Sequence, residues 1–519
     1  MSAINASKSN SLLRSGVIVG FLIVSGKLLS FVRDILISSK YGATVFSDAY
    51  FAANNVPSIL YTAIITSAIL FFIPFYNEKL VNFGEEAANK FSSNVLNVYT
   101  VISIVISVIG IIFAGPLVSL VAPGFSGVRY YHTVRLTRIL CSSFPFSFVA
   151  LLLAAISNAR QRYIPPQLIP IISSSTVIIG IVFFSNAIGI YAVALASVFA
   201  VFIQAFLQRF FVKDIFNYQW IFNPKDQDLK AMAILILPVF IGTSVDQLNL
   251  FVDSVLSSNL SLGSISALNY GQKLQATING TFSTAMVTIL YPVLSLAAAK
   301  RDFVGIENVT MKGIRVLSII LIPITVIMIL DSYYVVKIVY FRGKFGEEAL
   351  AQTSLVFMLY SIGLIFMAYE EMYRRVYYVH SDAKTPVKIG IFVVLMHLGL
   401  SFIFIRYLKV GGLALATSIS SIVSSFILRY QLRKRWNFQS HSSKQYKFFG
   451  LLIFAALVMA ACRFGLIAIL PNLNAIVRFF VTSFVSIAVY FSVLLILDIK
   501  EVKEVGSRLK NIMSNYLRF

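Results

Sequence analysis

Apolar runs of about 20 residues, each long enough to cross a bilayer as one helix, recur along the whole chain. They begin near Leu13, Val45, Phe91, Val134, Pro165, Ile190 and Leu229, and then near Ser266, Met311, Leu350, Pro386, Gly411, Lys447 and Ala475. The pattern predicts an all-α polytopic membrane protein with about fourteen transmembrane helices. The longest polar connection, Asn217 to Lys230, falls near mid-sequence and reads as a hinge between two halves. A faint internal repeat runs in the same sense. Phe31–Ser38 (FVRDILIS) resembles Phe251–Ser258 (FVDSVLSS), and each is followed by a Gly/Ser-containing break and another span. Repeated helical bundles with a site between them are typical of transporters.

Composition excludes a water-soluble fold. Of the 519 residues 58% are hydrophobic and 12% charged, against about 25% charged in soluble domains. The net charge of +22 would otherwise suggest nucleic acid. Here the bases sit in short loops between apolar runs, so membrane phospholipid is the expected contact and no nucleic-acid partner is expected. Basic loops follow spans four (ARQR), six (QRFFVKD), eight (AAAKRD) and twelve (RYQLRKRW), and the tail KEVGSRLKN is basic too. The positive-inside rule makes that side, and both termini, cytoplasmic. Arg129 and the FRGKFGEE segment are exceptions on the opposite side. Cys141 and Cys462 lie in apolar stretches, and His132, His380, His397 and His441 are scattered, so no disulfide framework and no metal site is expected. The polar start MSAINASKSNS leads into an apolar run too long for a signal peptide, and no cleavable leader is expected.

Charges inside the apolar runs carry the chemistry. At 100° per residue, Lys27, Ser30, Arg33, Asp34 and Ser38 of span one share an arc about 140° wide, with Leu28, Leu29, Phe31, Val32, Ile35 and Leu36 opposite. Asp48 opens span two, followed on its face by Asn55, Thr62 and Thr66. Span seven sets Asp246, Asn249 and Asp253 at i, i+3 and i+7, and span eight carries Asn269, Gln272, Lys273, Asn279 and Ser283 in one stripe. A charge at the bilayer centre costs at least about 2.5–3.5 kcal/mol. Stripes of both signs on the first two helices of each half therefore predict a hydrated cleft between two bundles. The competing readings are structural: an Arg33–Asp34 pair that locks helices, packing hydrogen bonds at Asp246 and Asp253, a snorkelling Lys273 and a helix cap at Asp48.

The same residues resemble the MurJ (MviN-type) lipid II flippases of the MOP exporter superfamily. GKLLSFVRDILISSKYGATVFSDAYFAANNVPSIL is similar to that family's opening, and VAPGF (Val121–Phe125) to its third-span end. SFPFSFVALLLAAISNARQRYIPPQLIP resembles its fourth and fifth spans, and RVYYVHSDAKTPVK (Arg375–Lys388) and RYQLRKR resemble later segments. The resemblance implies an N-terminal lobe at 1–222, a C-terminal lobe at 223–440, each of six spans, and two extra spans with a cytoplasmic tail at 441–519. It implies a central V-shaped cavity, a groove for the lipid tail after Lys447, and undecaprenyl-pyrophosphate carrying a sugar–peptide as cargo. Arg33, Asp34 and Asp48 match family cavity positions directly. The chain departs where the family has an Arg pair, here Tyr61 and Thr62, and where its span-eight Arg and Glu become Lys273 and Ala276.

On this reading Arg33 and Lys273 hold the diphosphate, with Asp34 and Asp48 in the same site. Asn55, Gln272 and Asn279 receive sugar hydroxyls. Asp246 and Asp253 are the candidates for ion coupling to Na+ or H+, with membrane potential as another driving force, about 2.3 kcal/mol per charge per 100 mV. No other cofactor is expected, and cell-wall synthesis proteins are candidate partners. The alternatives are a flippase for a capsule, O-antigen or teichoic-type precursor, a multidrug/cation antiporter of the same superfamily, and a membrane glycosyltransferase or ligase. Basic residues argue against cationic drugs. An enzyme of that kind would need extramembrane acid/base residues that the loops do not supply.

Overall fold

The computed structural model describes the backbone of residues 2–436, 438 and 442–503, and side chains from residue 18 onward except at 60, 63, 237–239, 241–246 and 442–444. Among the described residues the chain forms sixteen helices. They are α1 (Ser2–Tyr41), α2 (Val45–Ile112), α3 (Ala114–Val121), α4 (Gly127–Cys141), α5 (Phe144–Ala159), α6 (Ile164–Ile188), α7 (Tyr191–Val212) and α8 (Gln227–Ser258). After these come α9 (Ser264–Ala299), α10 (Phe303–Leu330), α11 (Ser332–Tyr340), α12 (Glu347–Val379), α13 (Lys384–Leu408), α14 (Val410–Trp436), α15 (Ser442–Ile469) and α16 (Ala475–Ile496). Every expected span start falls inside one of these helices or one residue before it. Ten of the described helical segments are long and apolar enough to cross a membrane, and the bent pair α4–α5 makes an eleventh. The second and third expected spans are one helix, α2, broken only at Gly84, whose backbone leaves the helical region.

Packing separates two compact units. One holds the chain up to Ser266 together with Arg342–Ala349; the other holds Ala267–Phe341 and the chain from Leu350 on. The boundary expected at 222/223 lies elsewhere in this partition, because α8 packs with the first unit. Its Phe251 sits against Val56, Val118 and Val121 of α2 and α3, and Gly124 N–H donates to Ser258 Oγ (3.1 Å). The core of the first unit is aromatic: Phe72, Tyr76, Phe91, Phe144 and Phe148 are all buried together. In the second unit small residues let backbones approach, as membrane packing favours. Ser418 Oγ of α14 donates to Leu359 O of α12 (2.6 Å) and lies against Gly363. Arg463 of α15 is fully buried with Asp331, and its Nη1 also donates to Thr482 and Ser483 of α16 (2.8 and 3.1 Å). That pair ties the last two helices to the α10–α11 break.

The internal repeat extends far beyond the eight residues that suggest it. Ser38 and Ser258 close their segments alike, each hydroxyl donating three residues back, to Ile35 O (2.8 Å) and Val255 O (2.7 Å). Residues 220 positions apart share backbone states. Gln161 and Ser381 take φ of 59° and 57° after α5 and α12, and Gly189 and Lys409 take 60° and 49° after α6 and α13. In both of the first two corners the next N–H reaches back five residues, Arg162 to Ser157 O (2.8 Å) and Asp382 to Tyr377 O (3.0 Å). This left-handed closure orients the helix that follows. Each corner is pinned by a charge pair: Arg162 grips Asp214 with both terminal nitrogens (2.9 and 2.6 Å), and Arg435 holds Asp382 (2.5 Å). Burial pushes the Asp382 carboxyl up, but hydrogen bonds from Thr385 and the Arg435 charge outweigh it and hold it below the usual range. This stabilisation is therefore present above the ordinary carboxylate pKa and is lost as pH falls through the lowered one.

The mid-sequence connection is a docked strap rather than a free hinge. Residues 217–226 lie along α2. Gln219 N–H donates to Ser93 Oγ (3.0 Å), Asn94 both accepts from Asn223 N–H (2.7 Å) and donates to Asn223 O (3.1 Å), and Asn97 donates to Ile221 O (2.8 Å). Lys79 on α2 meets Asp228 at the start of α8 (2.8 Å).

Lys409 stands where the repeat has Gly189, at φ 49° and ψ −128°, a region that carries a strain of order 1–3 kcal/mol for a side chain. We expect Lys409→Gly to raise stability by about 1 kcal/mol, read as a higher midpoint of thermal unfolding in detergent. Gly189→Lys should lower it by a comparable amount.

Candidate functional site

Two features explain where the charges go: side chains long enough to fold back on their own helix, and helix ends with unpaired N–H groups. On α1, Arg33 folds onto its neighbour, and Nε and Nη2 both reach Asp34 Oδ1 (3.1 and 3.0 Å). Neighbours on a helix do not face each other, but the length of Arg closes the gap. Asp34 is buried and Arg33 remains about a quarter exposed (24%). The stripe below is anchored to α6: Ser30 Oγ meets Ser174 Oγ (2.9 Å), and Gly26 lies against Pro170. Leu28 and Val32, on the opposite arc, are exposed.

Asp48 has no exposed surface (0%). Its Oδ1 accepts from Ser266 N–H (2.8 Å) and Ser266 Oγ (2.6 Å); Oδ2 accepts from Gly263 N–H (2.8 Å) and Arg129 Nη2 (2.5 Å). The carboxylate thus caps α9 from another part of the chain, where the helix dipole and free N–H groups favour an anion. Arg129 is held from its other side by the Phe125 ring, 3.9 Å from its guanidinium carbon, which gives the VAPGF segment a physical role. Gly263 takes φ +84°, and a Cβ there would run into the Ala43 carbonyl at 2.7 Å. The corner also receives the FRGKFGEE segment: Lys344 N–H donates to Ser39 O (2.8 Å). Both exceptions to the charge asymmetry are thus locked into one tie joining α1, α2, α4, the α8–α9 turn and the α11–α12 turn.

The other expected site residues lie as follows. Asn55 is half-buried, two turns beyond Asp48 on α2. Asp253 is buried on α8, and Ser257 Oγ donates to its carbonyl (2.5 Å). Gln272 and Lys273 are half-buried on α9 in the second unit, where Asn279 Oδ1 accepts from Ser283 Oγ (2.7 Å). The side chain of Asp246 lies outside the described residues. The structure therefore brings Arg33 to Asp34, and it brings Asp48 to Arg129, Gly263 and Ser266, a set the sequence reading does not join. Its one signal is Arg129, a base on the side where bases are scarce. Tyr61, at an expected Arg position, is a core residue: its hydroxyl meets Phe144 O (2.5 Å) and Ser103 Oγ (2.9 Å), and its ring stacks on Phe144 at 4.4 Å. Of the replaced pair only Thr62 is exposed.

Two polar lanes add to these charges. On α2, Asn54, Ser58, Thr62 and Thr66 follow at four-residue spacing; Ser58 donates to Asn54 O (2.9 Å) and Thr66 to Thr62 O (2.7 Å). On α9, Thr277 donates to Lys273 O, Thr281 to Thr277 O and Thr288 to Thr284 O, each at 2.7 Å. Back-bonding satisfies the hydroxyl proton and leaves oxygen lone pairs pointing outward as acceptors. The large exposed side chains along the middle of α7, α15 and α16 are by contrast Phe, Leu, Ile and Val. The lanes suit water or a hydroxylated ligand.

Asp48→Asn would leave the Arg129 guanidinium, 11% exposed, without its counter-charge, at a cost of up to about 3 kcal/mol. We expect the double variant Asp48→Asn/Arg129→Gln to be less destabilised than Asp48→Asn alone. Thermal unfolding of the four proteins of the cycle measures this, and simple additivity would contradict a shared tie.

Comparison with known proteins places this geometry. The family model described as lipid II flippase MurJ matches residues 37–490. A protein of Rickettsia prowazekii (strain Madrid E), named probable lipid II flippase MurJ, is 29% identical over 87% of this chain and 88% of its own. One of Burkholderia cenocepacia, named lipid II flippase MurJ, is 26% identical over 85% and 87%. A solved structure titled lipid II flippase MurJ, inward closed conformation, superposes with a TM-score of 0.80 at 25% identity, covering 93% of this chain and 98% of its own. A MATE-family multidrug transporter of the MOP superfamily shares the fold at a TM-score of 0.66 and 13% identity. The chain is a multi-pass protein of the bacterial inner membrane and belongs to the lipid II flippase MurJ family.

Proposed function

We propose that this chain carries lipid II, undecaprenyl-pyrophosphate bearing a sugar–peptide, from the cytoplasmic to the outer leaflet by alternating access. The observation that carries the reading is the family match, which runs unbroken through every helix bearing an intramembrane charge from Asp48 to Lys273. A diphosphate cannot enter hydrocarbon unpaired. Arg33 supplies a fork and Lys273 a point charge; the diphosphate competes with Asp34 for the Arg33 guanidinium. Asn55, Gln272 and the hydroxyl lanes of α2 and α9 take sugar hydroxyls, while the isoprenoid stays in lipid. The Asp48 tie is made in one state and broken in the other, since the N–H groups it caps belong to the helix carrying Lys273. Asp253 and Asp246 take a coupling Na+ or H+, or membrane potential drives the step. Both termini face the cytoplasm, and cell-wall synthesis proteins are the partners that receive the cargo.

Complementation tests the cargo. Expression in a bacterium depleted of its lipid II flippase should restore growth, Arg33→Ala should abolish rescue, and Arg33→Lys should retain part of it. Failure of the native chain despite good membrane expression would assign it to another lipid-linked glycan. For coupling, Asp253→Asn should slow transport and flatten its dependence on an imposed ion gradient in vesicles; unchanged rate and dependence would remove Asp253 from that role.

A further inference from the structure

The strap between α7 and α8 has a property that neither cargo binding nor helix packing requires. It is irregular backbone, yet four of its peptide groups pair with side chains of α2: Ser93, Asn94 and Asn97 take up groups of Gln219, Ile221 and Asn223. A loop in water needs no such partners. A loop at membrane depth does, because no solvent is there to replace them. The flanking helices set that depth. Phe206 and Phe210 are exposed on the last two turns of α7, and Ile234 is exposed two turns into α8, so apolar surface runs up to the strap from both sides. On the strap, Phe216 turns into the core, while Trp220 and Phe222 point outward with 83% and 52% of their surface exposed. Lys213, Lys225 and Lys230 are exposed around them. Two outward aromatics in a segment with three exposed lysines, on a backbone tied to α2, are the chemistry of the headgroup–carbonyl layer, where amphipathic rings and cations are both favoured.

We propose that residues 217–226 form an interfacial anchor: Trp220 and Phe222 insert into the phospholipid headgroup–carbonyl layer on the side of the basic loops, fixing the depth of the α7–α8 connection while Asn94 and Asn97 hold it to α2. The partner is bulk phospholipid rather than another protein, because the exposed aromatics continue the lipid-facing surface of α7 and α8. The anchor does not depend on which lipid-linked glycan is carried.

Trp220 and Trp436 are the two tryptophans of the chain, so Trp436→Phe leaves Trp220 as sole reporter. The full-length variant is reconstituted in phosphatidylethanolamine/phosphatidylglycerol vesicles carrying bromine near the carbonyl end or near the methyl end of the acyl chains, with iodide on both sides as aqueous quencher. The expected result is blue-shifted emission, loss of most intensity to the shallow bromines, less loss to the deep ones and protection from iodide. Emission like indole in water, quenched by iodide and untouched by bromine, would overturn the proposal. So would stronger quenching by the deep bromines. Should Trp436→Phe fail to fold, the difference between the native chain and Trp220→Phe reads the same signal.

Discussion

A carboxylate with no access to solvent, Asp48, holds together the corner on which the first unit depends. In a low-dielectric interior an anion persists only where donors surround it. Asp48 has two backbone N–H groups from the start of α9, a serine hydroxyl and a guanidinium. Removing the carboxylate would leave the Gly263 and Ser266 N–H groups without their acceptor. The second unit has its own sealed pair, Arg463 with Asp331, which joins α15 and α16 to the α10–α11 break.

The repeat shows how one architecture supports different chemistry in its two copies. Backbone corners recur 220 residues apart, at Gln161 and Ser381 and at Gly189 and Lys409, while side chains diverge. Arg33 and Asp34 of the first copy align with Asp253 and Ser254 of the second. Geometry is retained because helix ends must be closed in the same way to stack the same bundle.

Replacement of the family's paired bases by Tyr61 and Thr62 removes less positive charge from the polar surface than the sequence suggests. Tyr61 faces the aromatic core and is bonded to the α5 backbone, so only position 62 belongs to the exposed lane. The lane that remains is neutral and hydroxylated, as is its counterpart on α9. The exposed polar surface of these two helices therefore holds few cations and many hydroxyl acceptors.

Hydrophobic run length by itself determined that this is a multi-helix membrane protein, where its helices lie and which of their faces are polar, because hydrocarbon tolerates only backbone that is bonded within its own segment. Short-range pattern also marked the stripe on α1, the weak repeat and the bases of the loops. Only tertiary structure decided what those polar groups meet. Asp48 and Ser266 are 218 residues apart, and nothing local to either says that one caps the other. Tyr61 and Thr62 are neighbours, yet one enters the core and the other a polar lane. The Asn217–Lys230 segment reads as a hinge from its polarity, and becomes a strap because three α2 side chains, over 120 residues earlier in the chain, are spaced to receive its peptide groups. Periodicity reports which side of a helix is polar; the partner across from it is set by packing, which a single strand of sequence does not encode locally.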